Sequence, residues 1–222
     1  MCGRFVRKAT AQDIADEFEL DPGDIGIDLA PRYNIAPGQQ VAAVLSDGKP
    51  RLEGLRWGLI PHWAKDPKIG YKMINARAET LSQKPSFKAS LKRKRCLVVA
   101  DGFYEWRKEG SKKTPIYVRM KSGKPFGFAG LYDSWRSPEG NDIRTCSIVT
   151  TTPNRLLAPI HERMPVILDK KGRGIWLGGE QEDLRPLLDL LVPFDESQME
   201  AYPVAPAVNR PEHDAPDCIQ PV

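Results

Sequence analysis

Five short runs rich in β-branched, aromatic and small apolar residues, Val41–Leu45, Cys96–Ala100, Ile116–Met120, Phe126–Tyr132 and Thr145–Thr151, constrain this chain more than any other feature. Each is too short for a typical helix and is bounded by turn chemistry, which predicts strands. Lys121-Ser122-Gly123-Lys124 and Ser137-Pro138-Glu139-Gly140-Asn141 read as hairpin connections, and Pro37-Gly38 reads as a turn beside the first run. Leu52–Trp63 alternates weakly and breaks at Pro61, placing Trp57 and Trp63 around a turn, where each is either core filler or an exposed stacking platform.

Helical signals are fewer. Thr10 with Asp13 predicts a capped start to a short amphipathic helix carrying Ile14, Ala15 and Phe18. Pro85 opens a basic helix through Lys92, Thr152-Pro153-Asn154 starts one through Ala158, and 180–192 carries the clearest leucine stripe despite Pro186. Residues 21–32 form a loop, and the tail from Tyr202 is proline-rich and irregular. Together these predict one α+β domain over 1–222, a mostly antiparallel twisted sheet or β-barrel-like core with several short peripheral helices.

Composition narrows the class. With 41% hydrophobic and 28% charged residues, no apolar run near the ~18 residues of a spanning helix and no apolar leader, a cytoplasmic protein away from membranes is expected. Cys2, Cys96, Cys146 and Cys218 include no CxxC pair, so reduced thiols are expected, with no disulfide framework, metal or cofactor. Charge is segregated. Residues 84–124 hold thirteen Lys/Arg against three acids, and 180–217 hold two Arg against ten acids. That asymmetry predicts a basic face opposite an acidic one, suited to a polyanion or simply to solvent.

Four places carry possible chemistry. If Met1 is removed, Cys2 presents a thiol and a free α-amine, and that amine titrates near ~8, far below a lysine. A neutral amine condenses with aldehydes, and the adjacent thiol can close a thiazolidine on the imine. Alternation over 75–79 would set Asn75, Arg77 and Glu79 on one strand face, either a solvent face or a site. Glu105 lies in sequence among Phe103, Tyr104 and Trp106, where apolar walls would raise a carboxyl pKa, unless it points outward from an edge. His161 sits between the end of the 152–158 helix and a strand, a place typical of catalytic residues and equally open to structural histidines.

Met1-Cys2-Gly3-Arg4, Tyr33-Asn34-Ile35-Ala36-Pro37, Trp57-Gly58-Leu59-Ile60-Pro61, Asn75-Ala76-Arg77-Ala78-Glu79-Thr80, Asp101–Trp106 and Ile160-His161-Glu162-Arg163-Met164-Pro165 together resemble the SRAP family, the abasic-site processing proteins once described as SOS-response-associated peptidases. The resemblance spans essentially the whole chain, in order. It implies a mixed sheet or barrel and covalent capture of abasic sites in single-stranded DNA, including ss/dsDNA junctions, by a monomer associated with the nucleoid when bound. Lyase-type strand cleavage and self-removal of Met1 are further activities it suggests. By resemblance Cys2 is the nucleophile, Asn75 orients the sugar, Glu105 is a general acid/base and His161 moves protons in ring opening. Arg4 and Arg77 resemble phosphate contacts, and Asn34, Pro37 and Trp63 line the DNA channel. Val99 departs from the proline expected before Ala100 in many members and touches only the strand leading to Glu105. Two alternatives use the same residues: a thiol (auto)peptidase built on Cys2, His161 and Glu105, and a noncatalytic nucleic-acid reader in which Cys2 is incidental.

Overall fold

The computed structural model describes residues 2–46 and 48–222. Among these, thirteen strands run in chain order: β1 Arg4–Arg7, β2 Arg32–Ile35, β3 Gln40–Ser46, β4 Pro50–Trp57, β5 Asn75–Arg77, β6 Arg95–Ala100, β7 Gly102–Glu109, β8 Lys112–Met120, β9 Phe126–Arg136, β10 Asp142–Thr151, β11 Met164–Pro165, β12 Ile167–Leu168 and β13 Met199–Pro203. The helices are α1 Ala11–Phe18, α2 Pro85–Arg93, α3 Lys170–Leu177 and α4 Arg185–Leu188.

Strands β4, β3, β6, β9 and β10 pair in that order, and β10 returns to β4 through the parallel pairs Thr145↔Arg56 and Cys146↔Trp57. The ring is therefore closed, which removes the unpaired edges that an open sheet would expose. A second, open sheet runs β13-β8-β7-β1-β2, antiparallel throughout. The α+β, mostly antiparallel expectation holds; the parallel contacts among the described residues are those of β10 with β4 and β5 and an isolated bridge between Ile25 and Leu52.

The period of two sorts each barrel strand between two cores. Ala42 and Val44 of β3, with Leu97 and Val99 of β6, meet Ile14 and Phe18 of α1, Phe87 and Leu91 of α2 and Trp176 of α3. Val41, Ala43 and Leu45 face the opposite way and meet Phe5 and Phe103 of the second sheet. Because both faces are covered, these strands read as unbroken apolar runs in the sequence. Phe5 sits edge-on to Trp57 at 5.2 Å and to Phe128 at 5.8 Å, locking the second sheet against the barrel.

Local expectations fared unevenly. Thr10 and Asp13 form the reciprocal capping box of α1, and Pro85 begins α2. The 152–158 helix is absent. Pro153 and Pro159 leave too short a stretch between them, and the buried Asn154 side chain instead accepts from the Leu157 N–H and donates to the Phe194 carbonyl, holding a chain of turns. Of the 180–192 stripe only Arg185–Leu188 is helical, because residues 180–182 are drawn to the end of α2: Glu180 pairs with Arg93, Glu182 with Lys92, and the Gln181 N–H bonds the Lys92 carbonyl. The helix α3, hidden in sequence by Gly172 and Gly174, is started by the Asp169 side chain accepting from the Gly172 N–H. Glu79 leaves the expected face of Asn75 and Arg77, because β5 ends at Arg77 and a 3-10 turn carries Ala78–Thr80.

The charge segregation is also resolved differently. Lys92, Arg93 and Arg119 of the basic segment bind Glu182, Glu180 and Glu200 of the acidic one, and Lys121 donates to the Ser197 carbonyl. The two segments are therefore neighbours joined at these points and do not form opposed faces. No helix among the described residues is long and apolar enough to cross a membrane.

Candidate functional site

The register of β1 against β7, Arg4↔Tyr104 and Phe5↔Phe103, leads the residues before β1 toward Glu105. Cys2 is fully buried, within the core between barrel and second sheet. Its Sγ lies 4.0 Å from the Arg4 carbonyl, and burial, followed by the charge of Glu105, pushes the thiol well above its ordinary range. Removal of Met1 concerns a residue outside those described.

Asn75 reaches the same point from the barrel. It begins β5, which pairs in parallel with β10 at Ile148, while the Trp57 indole holds the preceding Ile74 carbonyl at 2.9 Å. Its Nδ2 donates to the Cys2 carbonyl at 2.9 Å. Its Oδ1 is buried without a partner among the described residues, a group that a ligand hydroxyl would satisfy.

Glu105 is 2% exposed, and burial raises its carboxyl pKa to about 7. Of its three aromatic sequence neighbours, Phe103 shares its core with Cys2, whereas Tyr104 and Trp106 belong to the cluster on the other face of the sheet. His161 Nε2 stands 3.9 Å from Glu105 Oε2. The Arg163 N–H donates to His161 Nδ1 at 3.0 Å, so the neutral ring carries its proton on Nε2, toward Glu105. Burial lowers the imidazole pKa, which favours that neutral form. The turn bearing His161 is clamped by Arg163, which grips both Glu79 oxygens at 2.7 and 2.9 Å and the Thr150 carbonyl at 2.6 Å.

Cys2, Asn75, Glu105 and His161 thus converge from four separate segments. A cleft of about 430 Å³ opens over Glu105 and His161, walled by Trp106, Lys108, Lys113 and Asn209. The Trp106 indole donates to Asn209 Oδ1 at 2.7 Å. Trp106, Lys108, Lys113, Asn209 and Arg163 were missed as site residues. The strand period linking Trp106 to Lys108 was a usable signal, but Asn209 arrives from the irregular tail with none.

The five residues assigned to DNA divide. Arg77 is exposed beside Asn75, Trp63 is 52% exposed and Pro37 is half-buried. Asn34 is buried: its Nδ2 donates to the carbonyls of Val208, Arg210 and His213, and its Oδ1 accepts from Arg4. Arg4 also donates to the Val208 carbonyl at 2.7 Å and the Asn209 carbonyl at 3.3 Å. This pair holds the tail segment that supplies Asn209, which places Asn34 behind the cleft and not along a channel. His213, Asp217 and Cys218 bring N, O and S atoms within 4.8 Å of one another, but the imidazole already bonds both Asp217 oxygens at 2.9 Å.

A closed barrel with an appended antiparallel sheet, carrying a buried N-terminal cysteine ringed by an amide, a near-neutral carboxyl and a histidine, defines a class. The SOS response associated peptidase (SRAP) family matches residues 1–211, and the chain belongs to that family. It is 49% identical over 222 residues to YoqW of Bacillus subtilis, named an abasic site processing protein, with 99% of both chains covered. It is 33% identical over 221 residues to the abasic site processing protein HMCES of Xenopus tropicalis, spanning 85% of this chain and 65% of that one. A crystal structure of a protein from Bacteroides thetaiotaomicron superposes with a TM-score of 0.88 at 29% identity over the whole of both chains.

Proposed function

We propose that this protein senses abasic sites in single-stranded DNA and captures them covalently through Cys2 after loss of Met1. The observation that carries this reading is the convergence of Asn75, Glu105 and His161 on the one residue whose amine and thiol can both reach the same carbon.

An abasic deoxyribose is mostly a closed hemiacetal. The protonated fraction of Glu105 gives its proton to the ring oxygen as the C1′–O4′ bond breaks and takes the proton of the C1′ hydroxyl onto its other oxygen as the carbonyl forms, leaving an aldehyde and a restored acid, while neutral His161 donates a hydrogen bond from Nε2–H to the ring oxygen. The Cys2 amine adds to C1′. A carboxyl with a pKa of about 7 is half protonated near neutrality, so Glu105 can then protonate the departing hydroxyl, which leaves as water and yields the imine. The Cys2 S–H finally adds across the C=N bond, sulfur to carbon and proton to nitrogen. A thiol kept protonated by burial carries its own proton into that step. Asn75 positions the terminus through the Cys2 carbonyl, and its open Oδ1 suits a sugar hydroxyl. Closing the ring removes the imine whose presence makes the C2′ proton acidic, so strand cleavage by β-elimination competes only before closure.

Incubating the protein with an oligonucleotide carrying one abasic site should give a heat-stable adduct on a denaturing gel, and intact mass should show loss of Met1. Cys2→Ala should abolish the adduct while binding to a tetrahydrofuran analogue survives. A wild-type protein that retains Met1, or forms no adduct, overturns covalent capture.

A further inference from the structure

The two most exposed aromatic rings among the described residues lie eight positions apart on one segment, Trp63 at 52% and Tyr71 at 64%. Exposed lysines alternate with them at 65, 68 and 72, and no acid among the described residues pairs with any of the three, in contrast to the neutralised cations of α2 and β8. Large rings left in water and cations left without counter-ions, interleaved on one surface, are the two components of a single-strand track: bases stack on the rings and phosphates meet the ammonium groups.

The segment is built to hold its shape. The His62 N–H bonds buried Asp133 at 2.8 Å, and the Trp135 indole holds the Ala64 carbonyl at 2.7 Å. At its base Gly58, with φ at +124°, lies so close to Gly70 that a Cβ on either would stand 2.8 Å from the other's carbonyl oxygen. Rings on a fixed segment lose little freedom when a base stacks on them. Tyr71 also lies against the turn of Pro37 and Gly38, its Cε1 3.9 Å from where a Gly38 Cβ would stand, so it continues the surface on which Pro37 sits. The chain rejoins the site at once: the Leu59 N–H bonds the Met73 carbonyl, and Asn75 follows. Four residues of chain reach at most ~14 Å, so Tyr71 stands within a few nucleotides of the carbon that Cys2 would attack.

We infer that residues 63–72 form a second DNA-binding subsite, in which Tyr71 stacks on an unpaired base flanking the abasic nucleotide and Lys65, Lys68 and Lys72 hold the phosphates beside it. The inference rests on the DNA-capture reading above and names where the flanking strand runs.

Fluorescence anisotropy with a long single strand carrying a tetrahydrofuran analogue measures binding without the covalent step. Tyr71→Ala should weaken it about ten-fold, the size of one lost stacking contact. The triple variant K65A/K68A/K72A should reduce the slope of log K against log salt by about 2, since each single-strand phosphate contributes ~0.7. Both losses should vanish when the strand is trimmed to the analogue and its own phosphates, so that no flanking base remains, and a charge-matched control, K84A/K88A/K171A, should leave the slope unchanged. Wild-type affinity and slope in both test variants, an equal loss in the control, or a loss confined to duplex-flanked DNA overturns the subsite. If wild-type protein forms no adduct while binding still depends on Tyr71, covalent capture fails and the subsite stands.

Discussion

Glu105 and Asp133 are two carboxylates at nearly the same depth, 2% and 3% exposed, with opposite chemistry. For both, burial is the largest influence and raises the pKa. At Asp133 it is outweighed: Lys94 donates at 2.6 Å, the His62 N–H at 2.8 Å, His62 Nδ1 lies at 3.0 Å and the Ser134 N–H donates at 2.9 Å, and together they hold the carboxyl below its ordinary value. Glu105 reaches about 7 instead. Low exposure by itself therefore does not make a proton donor; what decides is whether burial or the donors around the carboxyl weigh more, and at Glu105 burial outweighs the Trp106 N–H.

The comparison is most exposed to failure at Glu105. If its proton matters, Glu105→Gln should slow adduct formation on the order of 10²-fold, and the wild-type rate should fall as pH rises through 7. The variant's stability should move opposite to its rate. A carboxyl whose folded pKa is raised from 4.5 to about 7 contributes stability below 4.5 that is lost as pH climbs to 7, so Glu105→Gln should melt higher than wild type at pH 8, by roughly 5 °C, and equally below pH 4.5. A variant as fast as wild type with no pH-dependent gain would remove the distinction.

Asp133→Asn should do the reverse and cost about 2 kcal/mol near neutrality, because charge-assisted hydrogen bonds are lost. Its depressed pKa contributes stability above the unfolded value of 3.8 that disappears as pH falls through the folded one, so the difference from wild type should shrink in acid melts. The same change frees the His62 N–H and should weaken tetrahydrofuran-strand binding by loosening Trp63.

The smallest effects concern cations. K108A/K113A, in the cleft, should lower the salt slope of DNA binding by about 1.4 without altering the melting temperature. K92A/R93A, paired with Glu182 and Glu180, should leave the slope unchanged and cost under about 1 kcal/mol. Equal slopes for the two pairs would mean that pairing on the surface does not decide which lysines meet DNA.

Much of this was legible without coordinates. The capping box, the proline that opens α2 and the apolar runs of the barrel are encoded within a few residues of one another, where the helical and strand periods act directly. The site residues were legible as types, a terminal cysteine, an amide, a carboxyl in an apolar strand and a histidine at a loop end. Asn34 misled because an amide in a turn-rich motif looks the same whether it faces DNA or holds a buried loop 174 residues away. The 180–192 stripe misled because leucine spacing says nothing about α2 pulling its first residues straight.

The amino-acid sequence by itself determined the long apolar strands, the mostly antiparallel sheet-or-barrel class and the reactive possibilities of Cys2, since all follow from local pattern and intrinsic chemistry. Only the tertiary structure decided which carboxyl is a proton donor, which lysines keep their charge for a ligand and which tryptophan is core. Those properties depend on desolvation and on partners distant in the chain, such as Glu182 for Lys92 and Ile74 for Trp57. Short-range sequence patterns cannot carry that information, because the energies involved arise only when the sheets and helices close on one another.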